Sequence, residues 1–321
     1  MKLLYTLIIL SFGISGYTEK IFDIPDYTQT DESFGGFQEN GNYYCAPVSA
    51  SNSIIWLSEN GYDDLNTFNQ YEDLNLSQYY TIIDLSDAMS TDENEGTNQW
   101  NFCYGLKSYI TDLAYSYVRL EYQGWRGIPQ EFDTGVDIPN IEWIKEGIEG
   151  YASAWLHVGW YTYDENTDTY NRFFGHWITL VGHGFDSIDD NSDYLIAHDP
   201  SPRAGYEFSN EYILPVLIES GMLNGNYGGL PRSAEGYYKL QGGMHIHSNA
   251  DFGILDGVVV LEMESPLLMG DINNDGNTDI LDIILTVSIV LSNEYNESAD
   301  MNSDGIIDIL DIIQLVNIII N

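Results

Sequence analysis

The chain has 321 residues, 44% hydrophobic and 14% aromatic, which is enough apolar material for a sizeable core and about two domains, and not the make-up of a disordered chain. Ten Lys and Arg against 50 Asp and Glu give a formal net charge of −40. Such a surface repels phosphate backbones and anionic lipid headgroups, which argues against nucleic-acid or membrane-surface binding, while tolerating salt and divalent cations. Two cysteines permit at most one disulfide.

In chain order, the first element is MKLLYTLIILSFGISG. Lys2 supplies a positive start, residues 3–12 form an apolar run, and Gly13 and Ser15 put small residues at a cleavage site. The pattern predicts a signal peptide over 1–16 and a secreted, extracellular mature protein. The run is too short to cross a bilayer, and no other stretch approaches the ~18 apolar residues of a membrane span.

Residues 17–264 read as one mixed unit. Residues 45–57 (CAPVSASNSIIWL) predict a helix, with Pro47 in its first turn and an apolar stripe at Val48, Ile54, Ile55 and Leu57. Residues 102–115 and 140–149 predict two more helices. From about 152 the texture changes to β-branched and aromatic runs, AWLHVGWYTY, HWITLVGH, DYLIAHD and GVVVLEM, which predict strands. STDENEGTN and DENTDTYN predict loops. Helices first and strands after them point to an α+β fold.

After Pro266 the composition shifts and an internal repeat appears, GDINNDGNTDILDIILTVSIVL followed 29 residues later by ADMNSDGIIDILDIIQLVNIII. This predicts a separate small domain over 265–321. Each copy reads D-x-N-x-D-G-x5-D. Asp271, Asn273 and Asp275, and in the second copy Asp300, Asn302 and Asp304, fall at loop positions one, three and five. Gly276 and Gly305 make the sharp turn, and Asp282 and Asp311 close the loops. The spacing gathers oxygen donors around one point, as a hard cation such as Ca²⁺ requires. The backbone carbonyls of Asn277 and Ile306 would serve position seven, and Asp279 and Asp308 would act through water. Between Asp271 and Asn321 there are ten Asp and Glu and no Lys or Arg, so two Ca²⁺ ions would offset four of ten negative charges.

Each loop feeds an apolar helix with no helix entering it, which resembles the type I dockerin module over about fifty residues. The resemblance implies a small all-α domain that folds around two calcium ions and binds a cohesin-type protein partner. At loop positions ten and eleven this chain carries Ile280-Leu281 and Ile309-Leu310, where many dockerins have small hydroxylated residues that select the cohesin.

A nucleophilic thiol requires a lowered pKa, a base and a group that orients the base. Cys45 opens a predicted helix, whose positive end favours thiolate. His176 stands at the start of one predicted strand and Asp199 at the end of the next, so an antiparallel pairing would bring them together. Cys103 is a possible disulfide mate for Cys45, His183 is a rival base that we expect to line the pocket, and His245 with His247 could chelate a transition metal.

The segments IPDYTQ…NYYCAPVSASNSIIWL, GHWITLVGHGFD and YLIAHDP, between Ile24 and Pro200, resemble the bacteriocin-processing-peptidase-like (family 39-like) cysteine peptidases of the papain superfamily. The resemblance implies a papain-like fold, a helical half plus an antiparallel sheet half, with Cys45 as nucleophile, His176 as base and later acid, and Asp199 as the orienting group. It also implies a Gln that completes an oxyanion hole with the Cys45 N–H. Gln38 has nearly the expected spacing and is favoured; Gln29 matches the local context but lies sixteen residues upstream of the cysteine. Ala46 replaces the family's Gly. The expectation is a secreted cysteine peptidase acting on peptide or protein substrates. The alternatives are an amidase or transglutaminase-like acyl transferase, and a non-catalytic adhesion protein that retains the fold.

Overall fold

The computed structural model describes residues 17–68, 73–186, 192–201, 210–225, 230–266, 269–273, 276–302 and 304–320; the predicted signal peptide and Asp275 lie outside them. In chain order, β1 (Tyr17–Lys20) precedes α1 (Cys45–Glu59), α2 (Leu74–Ala88) and α3 (Gln99–Asp112). After β2 (Tyr117–Gly124) and the short α4 (Ile141–Glu146) come β3 (Ala152–Asp164), β4 (Thr169–Asp186) and β5 (Ser192–His198). The remaining strands are β6 (Glu211–Leu217), β7 (Met222–Asn224), β8 (Arg232–Ser233), β9 (Tyr238–Gly242) and β10 (Phe252–Met263). The chain ends in α5 (Ile280–Ser292) and α6 (Ile309–Ile320).

All ten strands belong to one sheet. β3 pairs with β4, β4 with β5, β5 with β6, β6 with β9, β9 with β10, and β10 returns to β3, every pair antiparallel. The sheet therefore closes into a ring of six strands, which removes its edges there. All six strands contribute to one apolar cluster, through Leu156, Leu180, Leu195, Ile213, Leu240 and Val258 among others. A second cluster joins Trp155 and Trp177 of the sheet to α1, through Cys45, Ala50, Ile54 and Leu57, and to α3, through Phe102, Cys103 and Leu106.

The helices over 45–57 and 102–115 form with shifted ends, and the one over 140–149 shortens to α4. The result is a mixed α/β unit built on one large sheet, with its three longer helices preceding the main strand run.

The stripe expected on α1 understates its burial: every residue but Trp56 and Glu59 is buried. Small residues make that possible, and their polar groups are bonded. The Ser49 hydroxyl donates to the Trp177 carbonyl at 2.9 Å, while the Ser49 carbonyl accepts from Trp155 Nε1 at 3.0 Å and Thr179 Oγ1 at 2.8 Å. These bonds lock α1 against β3 and β4, satisfying buried polar groups whose loss would cost about 1–3 kcal/mol each.

Candidate functional site

Cys45 is the first residue of α1, and its cap residue, Tyr44, offers no side-chain bond to the first turn. The turn's open N–H groups and the helix dipole therefore favour negative charge at Cys45. His176 lies in the interior of β4, not at a strand start, because residues 169–174 extend the strand by pairing with the outer half of β3. β4 and β5 run antiparallel with Thr179 opposite His198, which brings Asp199, one residue past β5, back beside His176.

His176 Nε2 is 2.6 Å from Asp199 Oδ1, with the carboxylate fully buried. Cys45 lines the same cavity as His176. Burial opposes charge on the imidazole, but the Asp199 carboxylate and its hydrogen bond, with the Cys45 sulfur, outweigh it and raise the His176 pKa to about 10. The Ser201 N–H donates to Asp199 Oδ1 at 2.9 Å and the His245 N–H to Oδ2 at 3.4 Å. The Asp199 N–H in turn donates to Glu211 Oε2 at 3.1 Å, so Asp199 is held from several sides. Trp160 stacks on His176 with ring centroids 5.8 Å apart.

A cavity of about 540 Å³ opens over these groups. Its lining includes Cys45 and His176, the aromatic residues Tyr43, Trp160, Phe173 and Phe174, and also Gln29. This corrects the preference for Gln38, which is exposed and outside the cavity lining. Gln29 is buried, with Nε2 donating to the Gly41 carbonyl at 2.8 Å and its backbone N–H to the Pro200 carbonyl at 2.9 Å. The loop between Gln29 and Cys45 folds back at Gly41, so distance along the chain misjudged proximity. Gln29 Oε1 is buried without a hydrogen-bond partner.

Cys103 and Cys45 are both free thiols. Burial, with a smaller push from Glu131, drives the Cys103 thiol well above its ordinary pKa. His183 sits inside β4, opposite Leu195, and does not line the cavity as expected. His245 and His247 do line it, but among the described residues no three His, Cys, Asp or Glu side chains are grouped to hold a metal. Sequence patterning missed the aromatic wall at Phe173 and Phe174, because both look like ordinary strand residues.

In the C-terminal repeats, Gly276 and Gly305 adopt φ of 83° and 81°, the left-handed turn a tight loop requires. Asp271, Asp282, Asp300 and Asp311 are buried, yet no Lys, Arg or His occurs anywhere in 265–321. Backbone donors hold these carboxylates: Gly276 N–H to Asp271 and Gly305 N–H to Asp300, each at 2.8 Å. Asp282 accepts from Ile272 and Asp279, and Asp311 from Asn302 and Asp308. Asn302 instead bonds Asp304 within the loop, and the Asn273 N–H donates to Asp282. Asp279 and Asp308 cap the following helices, their Oδ1 atoms accepting from the Leu281 and Leu310 N–H groups at 2.7 Å. Asn277 lies just past the first turn, and Ile306 just past the second with its side chain exposed. These hard oxygen donors without a counter-charge fit a divalent cation in kind, although among the described residues no three carboxylates are already gathered around one point.

Residues 269–320 match the family described as Dockerin type I domain. No curated protein matches the chain. Among the described residues no helix is long and apolar enough to cross a membrane.

Proposed function

We propose that this chain is an exported cysteine peptidase, tethered through its C-terminal module to a cohesin-type partner. One observation carries the enzymatic part: His176 is held by a buried carboxylate 2.6 Å away and lines one cavity with Cys45, which sits at the open end of α1. The closed antiparallel ring beside a buried helix that begins with the cysteine supports a papain-like reading of the fold.

In this reading His176 Nδ1 takes the Cys45 proton, and Asp199 at Nε2 stabilises the resulting imidazolium. The thiolate attacks the peptide carbonyl, and the oxyanion is met by the Cys45 N–H and by the second N–H of Gln29 Nε2, whose first is spent on Gly41. His176 then protonates the leaving amine, and its neutral ring activates the water that frees the acyl group.

In the C-terminal module, Asp271, Asn273, Asp275 and Asp282 would hold one Ca²⁺, with the Asn277 carbonyl. Asp300, Asn302, Asp304 and Asp311 would hold a second, with the Ile306 carbonyl. The ions would neutralise the buried carboxylates and stabilise the docking surface.

The test is hydrolysis of a peptide library by the full chain against its Cys45→Ala variant. Cleavage that disappears in the variant supports the reading. Cleavage confined to side-chain amides or cell-wall fragments would move it to the acyl-transfer alternative. No turnover, with Cys45 no more reactive than Cys103, would overturn it in favour of a binding protein.

A further inference from the structure

The sheet also holds a buried charged cluster that the triad chemistry does not use. Arg172 Nε donates to Asp256 Oδ2 at 2.5 Å, and Asp256 Oδ1 accepts from the Tyr161 hydroxyl at 2.6 Å and Trp125 Nε1 at 2.9 Å. The Asp256 side chain is fully buried and that of Arg172 is 7% exposed. Burial works against the Asp256 charge, but Arg172, His157 and the hydrogen bond from Tyr161 hold its carboxyl below the usual range, so the pair is ionic.

Both partners flank irregularities of the sheet. Along β4 and β3, Phe174 faces Trp160 and Arg172 faces Tyr161, which leaves Phe173 as an extra residue on β4. Along β10 and β3, Leu255 faces Val158 and Gly257 faces His157, which leaves Asp256 as an extra residue on β10. The two bulges lie on opposite sides of β3, and the ion pair spans that strand. Gly159 and Gly175 leave room for it, since a Cβ at Gly159 would come 2.5 Å from Asp256 Oδ2 and one at Gly175 2.6 Å from Arg172 Nη2.

In a regular strand, residues four apart share a face, so Arg172 and His176 would point the same way. The bulge at Phe173 separates them. It sends Arg172 to the side of Tyr161 and Asp256, and keeps His176 on the side of Trp160 and Phe174. A slip of one residue would exchange the two faces. We infer that the Arg172–Asp256 pair positions the His176 imidazole by pinning the bulge at Phe173. A buried ion pair adds little net stability against an apolar isostere, and specifying one register is the attested use of such a pair. The inference rests on the reading of Cys45 and His176 as nucleophile and base.

The test compares the wild type with Arg172→Lys, Asp256→Asn and the apolar double variant Arg172→Met/Asp256→Leu. Folding is followed by near-UV circular dichroism, Cys45 reactivity by its iodoacetamide alkylation rate across pH, and kcat and KM on a peptide the wild type cleaves. In folded protein, Asp256→Asn and the double variant are expected to lose about tenfold or more in kcat and in alkylation rate with little change in KM, since a misplacement of ~1 Å can cost that much. The pH profile of alkylation should move toward that of a free thiol, and Arg172→Lys should retain an intermediate rate. A folded variant of any of the three with the wild-type rate and pH profile would overturn the inference and leave the triad reading intact. Wild-type Cys45 that reacts as slowly as Cys103 would overturn both.

Discussion

A Cβ at position 41 would stand 1.6 Å from the carbonyl oxygen of Gln29, so Gly41 and Gln29 can pack as they do only because residue 41 has no side chain. Gly41 also has φ of 76°, in the left-handed region, and its own carbonyl accepts the Gln29 side-chain amide. One glycine thereby sets where the amide sits relative to Cys45. Gln29→Ala should lower kcat by about 10²–10³ fold, the usual cost of one oxyanion donor, and leave the Cys45 alkylation rate nearly unchanged. Gln38→Ala should change neither. Gly41→Ala should cost more than about 1 kcal/mol in thermal unfolding, since its backbone conformation disfavours any side chain. Equal loss of kcat in Gln29→Ala and Gln38→Ala would refute this assignment.

The two cysteines report on two environments. Cys103 is fully buried and its thiol is held neutral, whereas Cys45 lines the cavity together with His176. Under native conditions one equivalent of iodoacetamide should modify Cys45, as peptide mapping would reveal, and Cys103 should label only on unfolding. In His176→Ala the Cys45 rate should fall about tenfold or more. Parallel labelling of both residues would contradict the proposed role of Cys45 as nucleophile.

The His176 pairing makes a pH prediction whose sign follows from its raised pKa. The ring gains Asp199 and Cys45 in the folded state and titrates at about 10, against an unfolded value of about 6.5. Its contribution to stability is therefore complete below about pH 6.5 and lost as pH rises through about 10. Wild type should exceed His176→Gln in urea midpoint at pH 6, and the gap should narrow steadily toward pH 10. A gap that widened with pH would mean that the native state holds the ring neutral.

Much of this was legible in local sequence. The helix opening at Cys45, the strands around His176 and Asp199, and the paired acidic loops each rest on short-range chemistry: an early Pro, β-branched runs, a Gly at loop position six. Other features depend on distant contacts. Closure of the sheet into a ring requires the return of β10 to β3, about a hundred residues apart, and no local pattern encodes it. α2 carries polar and apolar residues without a clear stripe and was missed. Which of Gln29 and Gln38 reaches the cavity depends on a chain reversal at Gly41, which spacing alone does not show. The bulge at Phe173 is invisible in an aromatic run that reads as continuous strand.

The C-terminal loops allow the last prediction. Asp271, Asp282, Asp300 and Asp311 are at most 4% exposed, in a segment with no cationic side chain. Backbone N–H groups satisfy these carboxylates as acceptors but do not cancel their charge, so the segment should unfold readily unless a cation enters. Calcium at a hundred times its Kd should add about 2.7 kcal/mol per site to the stability of this module, read as an upward shift of its thermal transition that EDTA reverses. Magnesium should do much less, because it demands a tight octahedral shell and gives up its water reluctantly. Asp282→Ala and Asp311→Ala should each remove one of two calorimetric binding steps, while Cys45 alkylation in the same chain stays unchanged. Sodium chloride at matched ionic strength separates binding from screening: if it moved the transition as far as calcium does, general charge repulsion would account for the effect and the loops would not be cation sites.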